Sequence, residues 1–251
     1  MKKITFTELL GLLDCSFLSE HGIEFLICDL KNAKSFDYCM QLAQELRNTG
    51  KIVLGIGIMP IFTSIRNGNC IHYEDSPESP ERGHRLKSVV DGMIFLWRDS
   101  FVTSSEFRLN SKEIDRRINS FICDIEQVFV DILTPGVRNI GSDAIKGMLH
   151  NCGRYAVARG SGKGGYRVEK ALSEVMDFFR FCGHYMMQHS RSIVFKIMVP
   201  QKYPLSKEEQ ELIEKNILEI SSSTDIHLCV DHLDSEDDNI EIIVLSIGLC
   251  R

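Results

Sequence analysis

Asp131-Ile132-Leu133-Thr134-Pro135-Gly136-Val137-Arg138-Asn139-Ile140 is the stretch around which the chain organises itself. Upstream of it, Ile114, Ile118, Phe121, Ile122, Ile125, Val128, Phe129 and Ile132 recur at the intervals of a helix that begins near Ser111. Apolar residues cover so much of its circumference that the pattern predicts a long helix buried between two layers. Thr134-Pro135-Gly136 ends it, because proline cannot donate to the helical ladder and glycine readily leaves it. The helix reads as a spine between two halves of different rhythm.

Before the spine, short apolar runs at 23–29, 52–58 and 93–97 read as strands. Between them, Phe36, Cys39, Met40, Ala43 and Leu46 mark a helix over 35–49, stopped by Gly50, and a short helix is expected over 85–90. Residues 67–83 read as a polar loop. Strands alternating with helices imply right-handed crossovers and a parallel sheet.

After the spine come a helix over 142–152 capped at Ser142, a strand over 155–158, a glycine cluster at 160–165 and a helix over 166–179. A strand at 192–199 precedes a helix over 206–220, opened by the capping box Ser206-Lys207-Glu208-Glu209. Strands at 226–231 and 240–247 are expected to be joined by an acidic hairpin at 234–239. This half fits a small mixed-sheet α+β domain with helices on one face.

Composition narrows the class. The chain has 251 residues, 43% hydrophobic and 25% charged, with 29 basic against 35 acidic and a formal net charge of −6. These values exclude wholesale disorder and fibrous architectures, and give no long-range attraction to nucleic acid. No apolar run approaches the roughly 18–20 residues of a membrane span; the longest, 52–62, holds two glycines and a proline. Lys2 and Lys3 begin like a signal peptide, but Thr5, Thr7 and Glu8 break the apolar stretch that would follow. The expectation is a soluble, cytoplasmic protein.

Nine cysteines without a C-x-x-C pair predict reduced thiols, with Cys28, Cys123 and Cys229 inside apolar patterns, and no metal site. Cys15 and Cys70 have no nucleophile signature around them, and His184 and His189 read as surface or interface residues. Gly160-Ser161-Gly162-Lys163-Gly164-Gly165 lacks the spacer and the hydroxyl residue of a phosphate loop and reads as a tight strand-to-helix turn. Gly55-Ile56-Gly57 lacks the third glycine of a dinucleotide fingerprint. The acidic hairpin has no calcium-loop spacing, and the polar run 74–81 reads as solvated.

The opening stretch resembles the synergy loop of the FtsZ/tubulin family, where a central helix runs into T-R-P-G-L-I-N-V-D. The resemblance continues through Gly153-Arg154-Tyr155-Ala156-Val157-Ala158-Arg159-Gly160 and into Gly164-Gly165-Tyr166-Arg167, similar to the family's G-x-G-x-x-S-G-E-D-R segment. Upstream, 51–60 resembles the strand before the T-x-P-F turn, and Val90-Asp91-Gly92-Met93-Ile94 resembles V-D-S-L-I. Ile247-Gly248 resembles the ending A-T-G-F. The implied fold is α/β: a truncated Rossmann-like, tubulin-type half with parallel strands over 1–110, a central helix over 111–135, and an FtsZ-like C-terminal domain over 136–251.

The departures from the family shape the functional expectation. The family binds GTP with glycine-rich loops, using backbone amides at a helix N-terminus. On this alignment the chain starts after the early loops. In place of the G-G-G-T-G-T-G loop stands Leu30-Lys31-Asn32-Ala33-Lys34, with no glycine in 29–49. Lys31, Lys34 and Asn119, the last near the family's guanine-contacting position, are the nucleotide-binding candidates. In the synergy-like loop Asn139 is kept, but the acidic positions fall on Gly141 and Ala144, leaving Asp143 as the catalytic candidate.

The resemblance therefore implies a degenerate FtsZ/tubulin-like protein that neither binds nor hydrolyses GTP. It would need no cofactor and would act by protein–protein contact through Thr134, Pro135, Gly136, Arg138, Asn139 and Asp143. Its partner would be an FtsZ-type GTPase filament, capped or held to length in cell division or a related process, or a second copy of itself. The family's C-terminal tail, a route to the membrane, is not matched. Two rival readings stand beside this one. The first is a divergent GTPase using GTP and magnesium with Lys31, Lys34, Asn119 and Asp143. The second is an FtsZ-fold interaction module unrelated to filaments.

Overall fold

The computed structural model describes residues 11–12, 15–60, 63–66, 69–72, 78–101, 111–181, 190–220 and 224–248. His184, His189 and residues 74–77 of the polar run lie outside them. The chain divides into two compact units, Met1–Glu126 and Gln127–Arg251, so the division falls inside the long helix.

In the first unit the elements run β1 (Gly11–Leu12), α1 (Ser16–Glu20), β2 (Ile23–Asp29), α2 (Ala33–Asn48), β3 (Ile52–Met59), β4 (Thr63–Arg66), β5 (Asn69–His72), α3 (Ser79–Val89) and β6 (Gly92–Trp97). A 3-10 turn, Arg98–Phe101, follows. Strands β2, β3 and β6 are parallel neighbours, with Ile23 opposite Ile52 and Leu54 opposite Gly92. All eight residues of β3 are buried, as unbroken apolar strands covered on both faces must be. Leu26, Cys28, Phe36, Cys39, Ala43, Leu86 and Met93 form one core cluster on the face that carries α2 and α3. The two glycines of β3 make room for a side chain: a Cβ at Gly55 would stand 2.4 Å from the sulfur of Met93.

Two expectations change here. Residues read as polar loop form strand β5 and the start of α3, which begins at Ser79. Proline and glycine gave a loop signal, but Pro80 lies in the first turn, where its missing N–H costs nothing. Gly83 is buried where a Cβ would stand 2.8 Å from the Phe95 ring.

Helix α4 (Ser111–Leu133) has 23 residues. Ile114, Ile118, Ile122, Ile125, Val128, Phe129 and Ile132 are buried. Arg116, Ser120, Cys123, Asp124 and Gln127 are exposed, so the helix has one wet face rather than being enclosed on all sides. Cys123, expected inside, lies on that face, whereas Cys28 and Cys229 are buried.

The second unit continues with α5 (Ser142–Leu149), β7 (Gly153–Gly162), α6 (Arg167–Phe181), β8 (Ser192–Val199), α7 (Lys207–Ile220), β9 (Asp225–His232) and β10 (Ile240–Ile247). Its sheet order is β7-β10-β8-β9. β10 is antiparallel to both neighbours, and β8 and β9 are parallel. Segment 233–239 is therefore a crossover that skips β8 and not the expected hairpin; alternation shows a strand's buried face but not its neighbour. Helices α6 and α7 pack their apolar faces on one side of this sheet through Val168, Val175, Phe179 and Ile213. On α4, the Phe129 ring meets Tyr155 of β7 edge to face at 5.8 Å.

Two termini also differ from expectation. α5 is capped by the extended Gly141 rather than by Ser142, and ends at Leu149. β7 runs on through the first glycines of the cluster, because α6 crosses it at close range. A Cβ at Gly160 would stand 2.1 Å from the Ala171 carbonyl oxygen, and one at Gly162 only 1.8 Å from that of Arg167. The capping box of α7 forms as read: the Glu209 amide donates to Ser206 Oγ at 3.2 Å, and the Ser206 amide to the Glu209 carboxylate at 2.8 Å.

Candidate functional site

Two loops follow the elements that bear on function, one in each unit. The first joins β2 to α2 at the C-terminal edge of the parallel strands, where open α/β sheets bind ligands. The amides of Lys31, Asn32, Lys34 and Ser35 are engaged within it. The Lys31 amide donates to Asp29 Oδ1 at 3.1 Å and the Asn32 amide to the Asp29 carbonyl at 3.0 Å. Asn32 is the N-cap of α2, its Oδ1 accepting from the amides of Lys34 at 3.0 Å and Ser35 at 3.3 Å. The carboxamide oxygen thus occupies the place at a helix N-terminus where an anion's oxygen would sit.

The loop's acceptors are taken as well. Arg82 of α3 donates to the carbonyls of Leu30 at 3.0 Å and Lys31 at 3.1 Å, and Ser79 Oγ donates to Leu30. Arg98, just past β6, stands 3.9 Å from Asp29 and forms an ion pair with Asp115 of α4. Lys31 and Lys34 are exposed at the margin of this loop. Asn119 is half-buried on α4, and its Oδ1 has no hydrogen-bond partner among the described residues. In this loop the amides of Lys34 and Ser35 at the start of α2 are capped by the Asn32 side chain.

The second loop, after α4, is held from beneath and open above. Lys196 lies in the middle of β8 and is 1% exposed. Its ammonium donates to the carbonyls of Asp131 at 2.6 Å and Thr134 at 3.0 Å, and pairs with Asp231 Oδ2 at 2.9 Å. The cation thereby satisfies two carbonyls at the C-terminal end of α4, where positive charge is favoured. Burial alone would raise the Asp231 carboxyl. The hydrogen bonds from Lys196 and the His232 amide, with the nearby positive charges, hold it below its usual value instead.

Gly136 passes so close to that carboxylate that a Cβ would stand 2.6 Å from Asp231 Cγ. Two residues on, the backbone of Arg138 bridges to β9: its amide donates to the Val230 carbonyl at 2.9 Å and its carbonyl accepts from Val230 at 2.8 Å. Asn139 Nδ2 donates back to the Thr134 carbonyl at 3.2 Å. Thr134, Pro135, Val137, Arg138 and Asn139 are all exposed, Val137 at 65%. Five of the six interaction candidates thus share one braced loop.

Asp143 stands apart, in the first turn of α5. Its side chain is 91% exposed and pairs with Lys146 at 2.7 Å. That hydrogen bond and charge hold its carboxyl below the usual value. It belongs to the second unit, whereas Lys31, Lys34 and Asn119 belong to the first.

The glycine cluster and the acidic segment serve each other. Lys163 pairs with Asp237 at 2.7 Å, and the Gly164 amide, at a backbone φ of +83°, donates to Asp238 at 3.2 Å. Arg167 spends all five of its N–H groups: on both carboxylate oxygens of Glu209 and on the carbonyls of Tyr203, Pro204 and Asp238. Among the described residues no cluster of His, Cys, Asp and Glu could hold a metal ion, and no helix is long and apolar enough to cross a membrane.

Sequence reasoning passed over Asn32, Lys196 and Asp231. Lys196 left a signal, as the lone charge inside Ile193-Val194-Phe195-Lys196-Ile197-Met198-Val199. Asn32 left one as an N-cap residue before a helical pattern.

No protein-family model matches the sequence, and no curated protein matches it. Solved structures do. A W319Y mutant of FtsZ from M. jannaschii superposes with a TM-score of 0.68 at 13% identity, over 90% of this chain and 65% of that one. CetZ from Methanosaeta thermophila gives a TM-score of 0.68 at 12% identity, over 91% and 62%. TubZ of Bacillus thuringiensis serovar israelensis, in GDP-form protofilaments, gives 0.62 at 10%, over 91% and 64%. The chain spans less than two thirds of the length of each of these three structures. Its parallel strands, long helix and second mixed sheet are those of the FtsZ/tubulin fold.

Proposed function

We propose that the chain is a cytoskeletal protein of FtsZ/tubulin type that works without nucleotide of its own. It docks through the loop 134–139 on one end of an FtsZ-type GTPase filament and limits its growth. The observation that carries this reading is the opposite use of polar groups in the two loops. At 31–35 the amides of Lys31 and Asn32 are bonded to Asp29 and those of Lys34 and Ser35 to Asn32. At 134–139 the polar backbone is braced from within while the side chains remain outward. A loop of fixed shape loses little conformational entropy on docking. Several of the similar structures are themselves protofilaments, among them CetZ2 of Haloferax volcanii with GTPγS. That supports a partner of the same fold.

The deciding experiment adds substoichiometric chain to a GTP-assembled FtsZ-type filament from the same cell. Filament lengths are read by electron microscopy and GTP turnover by phosphate release. Shortened filaments at ratios far below one to one are expected. Unchanged length and turnover would refute the capping role. Calorimetric titration of the chain alone with GTP and magnesium should show no saturable heat. A one-site isotherm would favour the divergent GTPase instead.

A further inference from the structure

The bracing of the second loop leaves one charge without a counterpart. Asp143 is paired with Lys146 and Asp231 with Lys196, so the acids flanking the loop are neutralised locally. Among the described residues nothing pairs with the guanidinium of Arg138, which is exposed while its own amide and carbonyl are fixed to Val230. Beside it lie Val137, 65% exposed, and the exposed Pro135. Arginine is among the residue types that dominate binding energy at interfaces, and here an unpaired one stands on an immobile base next to an exposed aliphatic side chain.

We infer that the partner of this loop presents a carboxylate to Arg138 beside an apolar hollow that receives Val137. The inference rests on the docking role proposed for the loop and names the chemistry of the surface it meets. A guanidinium forks equally well onto carboxylate and phosphate. The apolar pair at its side favours an acidic protein surface over a nucleotide or nucleic acid, whose phosphates are flanked by polar groups and solvent.

The test is site-specific photocrosslinking, with Val137→p-benzoylphenylalanine in the full chain expressed in its own cells and the crosslinked peptide sequenced. The expected product is a protein peptide with Asp or Glu within a few residues of the attachment point. Arg138→Glu should lower the yield by about tenfold or more, with Arg138→Lys retaining part of it. Both changes are at an exposed side chain, and matched unfolding curves would exclude loss of fold. A crosslink to nucleotide or nucleic acid, a peptide without acidic residues, no crosslink, or a yield indifferent to Arg138→Glu would each overturn the inference. An acidic partner that is not an FtsZ-type GTPase would uphold it while removing the filament role.

Discussion

The loops 30–34 and 134–139 follow a strand and a helix of ordinary geometry, and each is stitched to its surroundings by polar contacts. In the first, a short side chain of the loop itself, Asn32, consumes the donors of the helix it precedes. In the second, a buried side chain from elsewhere, Lys196, consumes the acceptors of the helix it follows. The difference lies in what remains outside. The first loop bonds its own amides to Asp29 and Asn32. The second has had its backbone needs met from below, leaving Val137 and Arg138 available. What each loop offers to a partner depends on where a few hydrogen bonds end.

That contrast can be broken at its strongest point first. Lys196→Met keeps the volume but leaves Asp231 and two carbonyls without their partner, and should cost ~3–5 kcal/mol in urea unfolding. A cost below about 1 kcal/mol would mean that the loop is not held by this lysine. Gly162→Ala forces a Cβ into the Arg167 carbonyl and should destabilise by ~3 kcal/mol, at the upper end for overpacking. It tests whether the glycine cluster exists for close packing.

The first loop offers the next test. Asn32→Ala removes the cap of α2 and should cost about 1 kcal/mol. It also frees two amides, so GTP binding gained by this variant alone would show that the cap is what closes the site. Acidity offers a further test. Asp231 and Glu209, the latter hydrogen-bonded to Arg167, both titrate below their ordinary values when folded. The stability they contribute is therefore complete above about pH 5 and lost as pH falls through those depressed values. The urea midpoint of Glu209→Gln should accordingly fall less steeply with acid than that of the wild type. The smallest effect is expected at Asp143→Ala, within about 0.5 kcal/mol as for an exposed pair. Any GTP turnover in the wild type that this variant abolished would revive Asp143 as a catalytic residue.

Much of the fold was legible because it rests on periodicity. The parallel strands, the spine and the capping box follow from spacings that the backbone enforces locally. The crossover between β9 and β10 was not, since pairing order is set by contacts between strands distant in sequence and leaves the alternation within each unchanged. The exposed face of α4 was misjudged for a related reason: apolar residues were counted around the helix, but Arg116, Ser120, Cys123, Asp124 and Gln127 line up along one strip of it. At the candidate site, the sequence pointed to the residues that face outward. It could not show what braces them, because the bracing lysine lies more than fifty residues away in the chain.

The place of β10 in its sheet also governs when the second unit can exist. β10 supplies the neighbour that both β7 and β8 require. As the chain leaves the ribosome, β8 and β9 can pair in the order in which they are made, but β7 waits for residues 240–247 to supply its neighbour in this unit. The first unit is under no such delay, because β2, β3 and β6 pair in the order in which they are made. Synthesis thus leaves β7 without a neighbour in its own unit until the last strand of that unit is made.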